Sequence, residues 1–341
     1  MRYTQDFLGS RRHIGDDLAD EVIQHLKDHP EVKAEFQQIS SNEELIAWRA
    51  PAWMHQLIKQ IVSGNYPCSV AKGQLFFEEH LPSIMALLGL YSLPYCYAAA
   101  NGAKVLIHSK NIIENPGQRL GETAQFVLDV CRKGAFSSNG RGYVAILKVR
   151  LMHAAIRYHA SRHITFETPI NQEDLAGTNL SFSLLIIRGL KKLGKVMTEQ
   201  EIADYLQMWN FIGHRLGIES SLLPESSKAF YQLEKGIRKH QFRRSKEGDK
   251  LVHALLEYFD QNQSGVSSFV PRVAMAAFMG DEVASYLNIS SSQIAQSAAI
   301  SIMRSSQFFL NFISDHYQWV QKSIASQMER HEFEEMFVIP I

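Results

Sequence analysis

Apolar residues recur at i, i+3 and i+4 along most of this chain, and no alternating run is long enough to pair into a sheet. This pattern constrains the fold more than any other feature. A period of 3.6 buries one stripe of a helix, whereas a period of 2 buries one face of a strand. "DDLADEVIQHLKDH" (16–29), "NEELIAWRAPAWMHQLIKQIV" (42–62), "GQLFFEEHLPSIMALLGL" (73–90) and "GQRLGETAQFVLDVCRKG" (117–134) all read as amphipathic helices. Pro51 kinks or splits the second of them. A helix over about 141–160 follows the turn-rich "SSNGRG". "NQEDLAGTNLSFSLLIIRGLKKL" (171–193) opens on Asn171 as an N-cap. "TEQEIADYLQMWNFIGHRLG" (198–217) opens on a capping box of Thr198 and Glu201 and ends at Gly217. Further helices are expected over roughly 222–244, 246–262, 265–279, 281–287 and 291–327. "KVLIHSK" (104–110) and "HITFETP" (163–169) are the two candidates for extended chain, and the charge-rich "KGIRKHQFRRSKEGDK" (235–250) is the best loop or boundary candidate. The expectation is one large all-α domain over residues 1–341.

Charge excludes some partners. Lys+Arg and Asp+Glu both number 35, so nothing in the global balance favours nucleic acid or an anionic membrane surface, and any anion must bind a local cluster. The three cysteines, Cys68, Cys96 and Cys131, are far apart and odd in number, which suits buried free thiols in a reducing compartment rather than a disulfide framework. The uncharged run from Leu81 to Ala103 has the length of a membrane span. Pro94 and the polar Ser83, Ser92 and Asn101 argue instead for two buried helices joined at Pro94. With no apolar signal core near Met1, the protein is expected to be cytoplasmic.

Four stretches carry candidate chemistry. In "KVRLMHAAIRYHASRH" (148–163), Arg150, His153 and Arg157 fall within about a 60° arc of one helix face. Ala154 and Ala155 leave little bulk beside the histidine. The face reads either as a solvated cationic surface or as an axial histidine flanked by arginines for the propionates of a planar metal cofactor. In "RLGETAQF" (119–126), Arg119, Glu122, Thr123 and Phe126 share a face, which is either a surface ion pair or a polar lining for an oxygen-binding pocket. "TPINQEDLAGTNLSFS" (168–183) places Gly177, Ser181 and Phe182 where a cofactor or another helix can approach. "WNFIGHRLGI" (209–218) offers Gly213 and Gly217 for close approach, and Trp209 for packing on a flat ligand or in the core. His159 and His163 lack the companions of a zinc site and read as an exposed helix end with Arg162. There is no P-loop, dinucleotide fingerprint or G-x-S-x-G elbow.

Taken in order, "FFEEH", "RLGETAQF", "VRLMHAAIR", "PINQEDLAGTNLSFS" and "GHRLGI" resemble the catalytic-domain family of the rubber oxygenases (latex clearing proteins) and the fungal mycophenolate-pathway prenyl-chain oxygenases. The resemblance runs from about residue 76 to about residue 218. It implies a globin-like helical core holding haem b, with His153 as the iron ligand. Arg150 and Arg157 are then assigned to propionate pairing or to orienting the ligand helix, and Arg119 and Thr123 to the oxygen side. Rubber-cleaving members carry a lysine, able to occupy the sixth iron position, where Glu122 stands in this chain; Glu122 is then a base near the iron or a partner of Arg119. Glu78 and Glu79 are the acids nearest in sequence to the family's catalytic acid. The implied activity is O2-dependent cleavage or oxidation of an apolar unsaturated, isoprenoid or lipid-like molecule. "SIMALLGLYSL", Phe76, Phe77 and Phe126 are then either a substrate channel or core packing. The alternative is a haem protein without turnover, such as a sensor, carrier or peroxidase-like protein.

Overall fold

A computed structural model describes residues 2–63, 70–107, 110–164, 167–262 and 269–304. Among them the architecture is all-α, with a single isolated bridge between Ala99 and Phe242 and no strand. The chain opens with α1 (Gln5–Arg11), α2 (Asp17–Leu26), α3 (Pro30–Gln38), α4 (Asn42–Ala47) and α5 (Ala52–Val62). Side-chain caps start three of these helices: Thr4 for α1, Asp16 for α2 and Ser41 for α4. Pro51 splits the 42–62 stretch between α4 and α5, since its ring fixes φ and it cannot donate to a preceding carbonyl.

The long α6 (Val70–Leu87) runs into a π-helical turn over Leu88–Ser92 and then α7 (Leu93–Cys96). The junction expected at Pro94 therefore lies just before it. The widened turn leads into α7, and Pro94 sits in the first turn of α7, where a missing N–H costs nothing. The uncharged run is buried protein core, and among the described residues no helix is long and apolar enough to cross a membrane. The described part of the 104–110 stretch is not extended: Lys104 to Ile107 close α8 (Ala100–Ile107), and Lys110 opens α9 (Lys110–Glu114).

The central helices are α10 (Pro116–Cys131), α11 (Gly142–Ala160), α12 (Gln172–Phe182), α13 (Leu184–Lys192) and α14 (Glu199–Arg215). Asn171 caps α12 through Asp174 N, and the Thr198–Glu201 capping box starts α14. Then come α15 (Ser227–Gln241), α16 (Lys246–Asn262), α17 (Phe269–Met279), α18 (Asp281–Tyr286) and α19 (Gln293–Arg304). The 235–250 stretch is mostly helical rather than a loop. Most of its cations sit on α15 and α16, and the chain breaks only between Gln241 and Lys246, where Arg243 and Arg244 lie. The described part of "HITFETP" forms no strand, and Cys68 and residues beyond 304 fall outside the described residues.

Two packings position the site. α6 lies along α14, and α11 is held between α2 and α10. Phe77, Tyr205, Trp209, Phe230 and Phe259 are fully buried. Each such side chain contributes about 1.5–3 kcal/mol relative to exposure, so the walls of the central cavity are stiff.

Candidate functional site

Helices α10, α11 and α12 share one cavity of about 740 Å³. That volume falls in the ~300–1,000 Å³ range of small-molecule and cofactor sites. Val149, Met152, His153, Ile156 and Ala160 come from one face of α11, while Arg119, Glu122, Thr123 and Phe126 come from α10. Two stretches more than 20 residues apart thus converge on one space, and most of its lining is apolar.

His153 is half-buried, and its remaining surface belongs to the cavity wall. Burial, reinforced by the nearby cations of Arg157 and Arg119, pushes its pKa down to about 3. The imidazole is therefore neutral at every physiological pH, as a metal ligand must be. Among the described residues no group of three or more His, Cys, Asp or Glu gathers to hold a bare ion. One neutral imidazole facing a large apolar space suits instead a planar macrocycle that brings its own equatorial donors.

Neither Arg150 nor Arg157 lines this space. Arg150 is only 2% exposed. Its Nε and Nη2 donate to the Asp16 carboxylate, the latter at 2.8 Å, and its Nη1 donates to the Arg215 carbonyl at 3.2 Å. The guanidinium lies against Gly217, whose φ of +86° suits glycine; a Cβ there would stand 2.9 Å from Arg150 Nε. Arg157 Nε donates to Asp20 at 2.8 Å and Nη1 to the Ile170 carbonyl at 3.2 Å. Its Nη2 is buried without a hydrogen-bond partner. Of the two roles expected for these arginines, the geometry accommodates helix orientation for both and leaves one open donor, on Arg157. The basic side chains that line the cavity are Arg119, His159, Arg162, His163 and Arg238. His159, Arg162 and His163 are exposed as expected of a helix end, yet they stand at the cavity rim, a placement that the sequence reading did not anticipate.

On α10, Arg119 Nη1 donates to Glu122 Oε2 at 3.1 Å, and Gln118 Nε2 donates to Glu122 Oε1 at 3.2 Å. Thr123 Oγ1 donates to the Arg119 carbonyl at 3.0 Å, which leaves its oxygen only acceptor capacity. On α12, Gly177 and Phe182 line the cavity, whereas Ser181 is buried and gives its carbonyl to Ser92 Oγ at 2.7 Å. Trp209 stacks on Phe182 with ring centroids 5.2 Å apart and joins the lining. Gly213 lets α14 approach Asn179 of α12, while Gly217 lies beyond the end of α14.

Of the two readings of the apolar residues, cavity lining holds for Phe126 and core packing for most of the others. Phe76 and Phe77 are core residues, and of "SIMALLGLYSL" only Leu93 joins the lining, because α6 packs this run against α13 and α14. Glu78 and Glu79 are exposed, and Glu78 caps the Lys133 N–H at 3.0 Å, so neither acid faces the cavity. The residues missed from sequence are Asp16 and Asp20, which the structure places at the N-cap and in the first turn of α2.

Residues 80–305 match the family described as ER-bound oxygenase mpaB/B'/Rubber oxygenase, catalytic domain. The rubber oxygenase of Streptomyces sp. (strain K30) is 22% identical over 301 residues, covering 83% of this chain and 73% of its own. A solved structure of latex clearing protein LCP in the closed state shares the fold, with a TM-score of 0.75 and 18% identity over 91% of each chain. The matched stretch takes in more than half of the sequence and every helix that carries His153, Arg119 and Thr123, and so the chain belongs to the mpaB/rubber oxygenase catalytic-domain family and is an oxidoreductase of the oxygenase class.

Proposed function

We propose that this protein is a haem b-dependent oxygenase that uses O2 to cleave or oxidise an apolar unsaturated small molecule, isoprenoid or lipid-like in character. The observation that carries the reading is His153: a neutral imidazole set into the wall of a cavity of about 740 Å³ that is mostly apolar. The residues present fit the cofactor. His153 would hold the iron, and Val149, Met152 and Ile156 give an apolar slot along the same helix face. Arg162 and the His159 and His163 side chains at the rim suit two propionates, while Arg150 and Arg157, outside the cavity lining, remain bound to Asp16 and Asp20.

A bound haem supplies the one-electron and O2 chemistry that amino-acid side chains lack. The chain's own residues do the rest. His153 fixes the position of the cofactor and stays unprotonated because burial and two cations oppose its charging. Arg119, held by Glu122, keeps a cation at the cavity wall where negative charge develops, and the apolar lining excludes water and orders a hydrocarbon chain. Thr123, whose hydroxyl proton is engaged by the Arg119 carbonyl, offers a hydrogen-bond acceptor at the cavity wall. O2 and one apolar small molecule are the partners this site accommodates.

The test is spectroscopic first. Protein produced with adequate haem should show a Soret band, and His153→Ala should remove it; a colourless wild type that takes up no added haem would overturn the reading. Oxygen uptake with a panel of isoprenoids and unsaturated lipids, with carbonyl products followed by mass spectrometry, then separates turnover from mere haem carriage.

A further inference from the structure

We propose that residues 12–20 belong to the cofactor site, with Asp16 and Asp20 as positioning residues that fix the rotation and depth of the His153 helix through Arg150 and Arg157. This inference rests on the reading of His153 as the haem ligand. The segment lies before the family-matched stretch 80–305, so the family match does not cover it.

Arg150 and Arg157 bracket His153 at three residues before and four after, on one face of α11. A helix clamped one turn above and one turn below a residue can neither rotate nor slide at that residue. Both clamps come from the same neighbouring segment: Asp16 takes Arg150, and Asp20 takes Arg157 at 2.8 Å. The Asp16–Arg150 pair is nearly completely buried, with side chains 4% and 3% exposed. A buried ion pair is a poor source of stability compared with apolar residues of the same volume, but it demands one geometry. Partners behind a metal-ligating residue act in this way, by fixing its orientation.

The segment is itself anchored, which a clamp requires. Arg12 donates to Glu167 at 2.7 Å, Glu173 at 2.9 Å and Asp174 at 2.9 Å, tying the segment to the start of α12. Backbone bonds run from Thr168 N to the Arg12 carbonyl and from Gln172 N to the Ile14 carbonyl, each 2.9 Å. Gln172 Nε2 bridges the Gly15 and Gly217 carbonyls at 2.8 and 2.9 Å, joining the segment to the loop beside Arg150. The clamp therefore joins α2, α11, α12 and the end of α14 around one histidine.

The experiment uses full-length protein loaded with haem and compares wild type, Asp16→Asn, Asp20→Asn and Leu26→Ala. Leu26 is buried on the same α2 helix but makes none of these pairs, so its variant reports general loosening. The readouts are haem transfer to excess apomyoglobin, the ferric absorption spectrum and the melting of the haem-free form. Asp16→Asn should speed haem loss by about 10-fold or more and alter the ferric bands. Asp20→Asn should act in the same direction and less strongly, because its carboxylate is 32% exposed. Leu26→Ala should lower melting while leaving haem loss and spectrum as in wild type. If both asparagine variants melt lower but keep the wild-type haem-loss rate and bands, the segment is structural only and the proposal is wrong. If Asp16→Asn does not fold, Asp20→Asn decides the matter by the same readouts. A wild type that takes up no haem overturns the reading of His153, a distinct failure that takes this inference with it.

Discussion

Helices α10 and α11 wall the same cavity, yet they are held by opposite means. The ionic partners of α11 come from more than 130 residues away in sequence, and its key arginines are buried. The polar residues of α10 mostly satisfy one another within a turn: Arg119 with Glu122, Gln118 with Glu122, Thr123 with the Arg119 carbonyl, and Gln125 with Asp129, which also meets Arg141 at 3.8 Å. The difference separates a fixed element from a tunable one. Long-range buried pairs lock α11, so the position of His153 is a property of the whole fold. Local pairs leave α10 free to change its side chains without disturbing its neighbours.

The largest effect should come from breaking the lock. Arg150→Met leaves Asp16 buried without its cation, which typically costs about 3–5 kcal/mol. Urea denaturation of the haem-free protein should show that loss; a cost below about 1 kcal/mol would mean that α11 is no better fixed than α10.

A second long-range network lies at the start of α12, where one guanidinium, that of Arg12, meets three carboxylates. Burial lifts Asp174 to about 6, against the opposing pull of Arg12. The unfolded chain releases this proton near pH 4, and the folded protein holds it to about pH 6. In that window the folded state binds more protons, so this group lowers stability as pH rises. His153 acts in the opposite direction, because its folded pKa is depressed. The informative quantity is thus the difference between wild type and Asp174→Asn. The variant should gain about 3 kcal/mol relative to wild type between pH 4 and pH 6, and nothing further above it. A flat difference would show that the α12 network is as compliant as α10.

Arg157 sits between the two regimes. It is buried, but its partner Asp20 is partly exposed and can rehydrate when left alone. Arg157→Met should therefore cost about 2 kcal/mol by the same denaturation, less than Arg150→Met.

The sequence made the fold class legible because the helical period is strong and the caps are standard: Asn171, Thr198 with Glu201, and Gly217 all fall where their chemistry places them. The π turn at Leu88–Ser92 was hidden, since nothing in a local apolar run distinguishes a widened turn from an ordinary one. The candidate site was legible on one side of each helix only. Spacing put Arg150, His153 and Arg157 on one face, but spacing cannot say whether an arginine looks into a cavity or towards a carboxylate on a distant element. Asp16 and Asp20 carry no local mark beyond a cap and a first-turn acid. The lining role of His159, Arg162 and His163 was missed for a related reason: exposure and cavity lining are compatible at a rim, and periodicity sees only the former.

The smallest stability effect belongs to Glu122, and it tests the tunable side most directly. Both of its oxygens already accept hydrogen bonds from its own helix, so its first task is to hold Arg119 against the cavity wall. Glu122→Gln keeps an acceptor for Arg119 and removes only a local, partly exposed pair, worth about 1 kcal/mol or less. Haem retention should be unchanged, because no contact to α11 is lost. Turnover should stay within about 10-fold of wild type, whereas Arg119→Met, which removes the cation itself, should lower it by about 100-fold. If Glu122→Gln instead lowers turnover as far as Arg119→Met while retaining haem, the carboxylate does more than anchor its neighbour, and α10 is as constrained by chemistry as α11 is by packing.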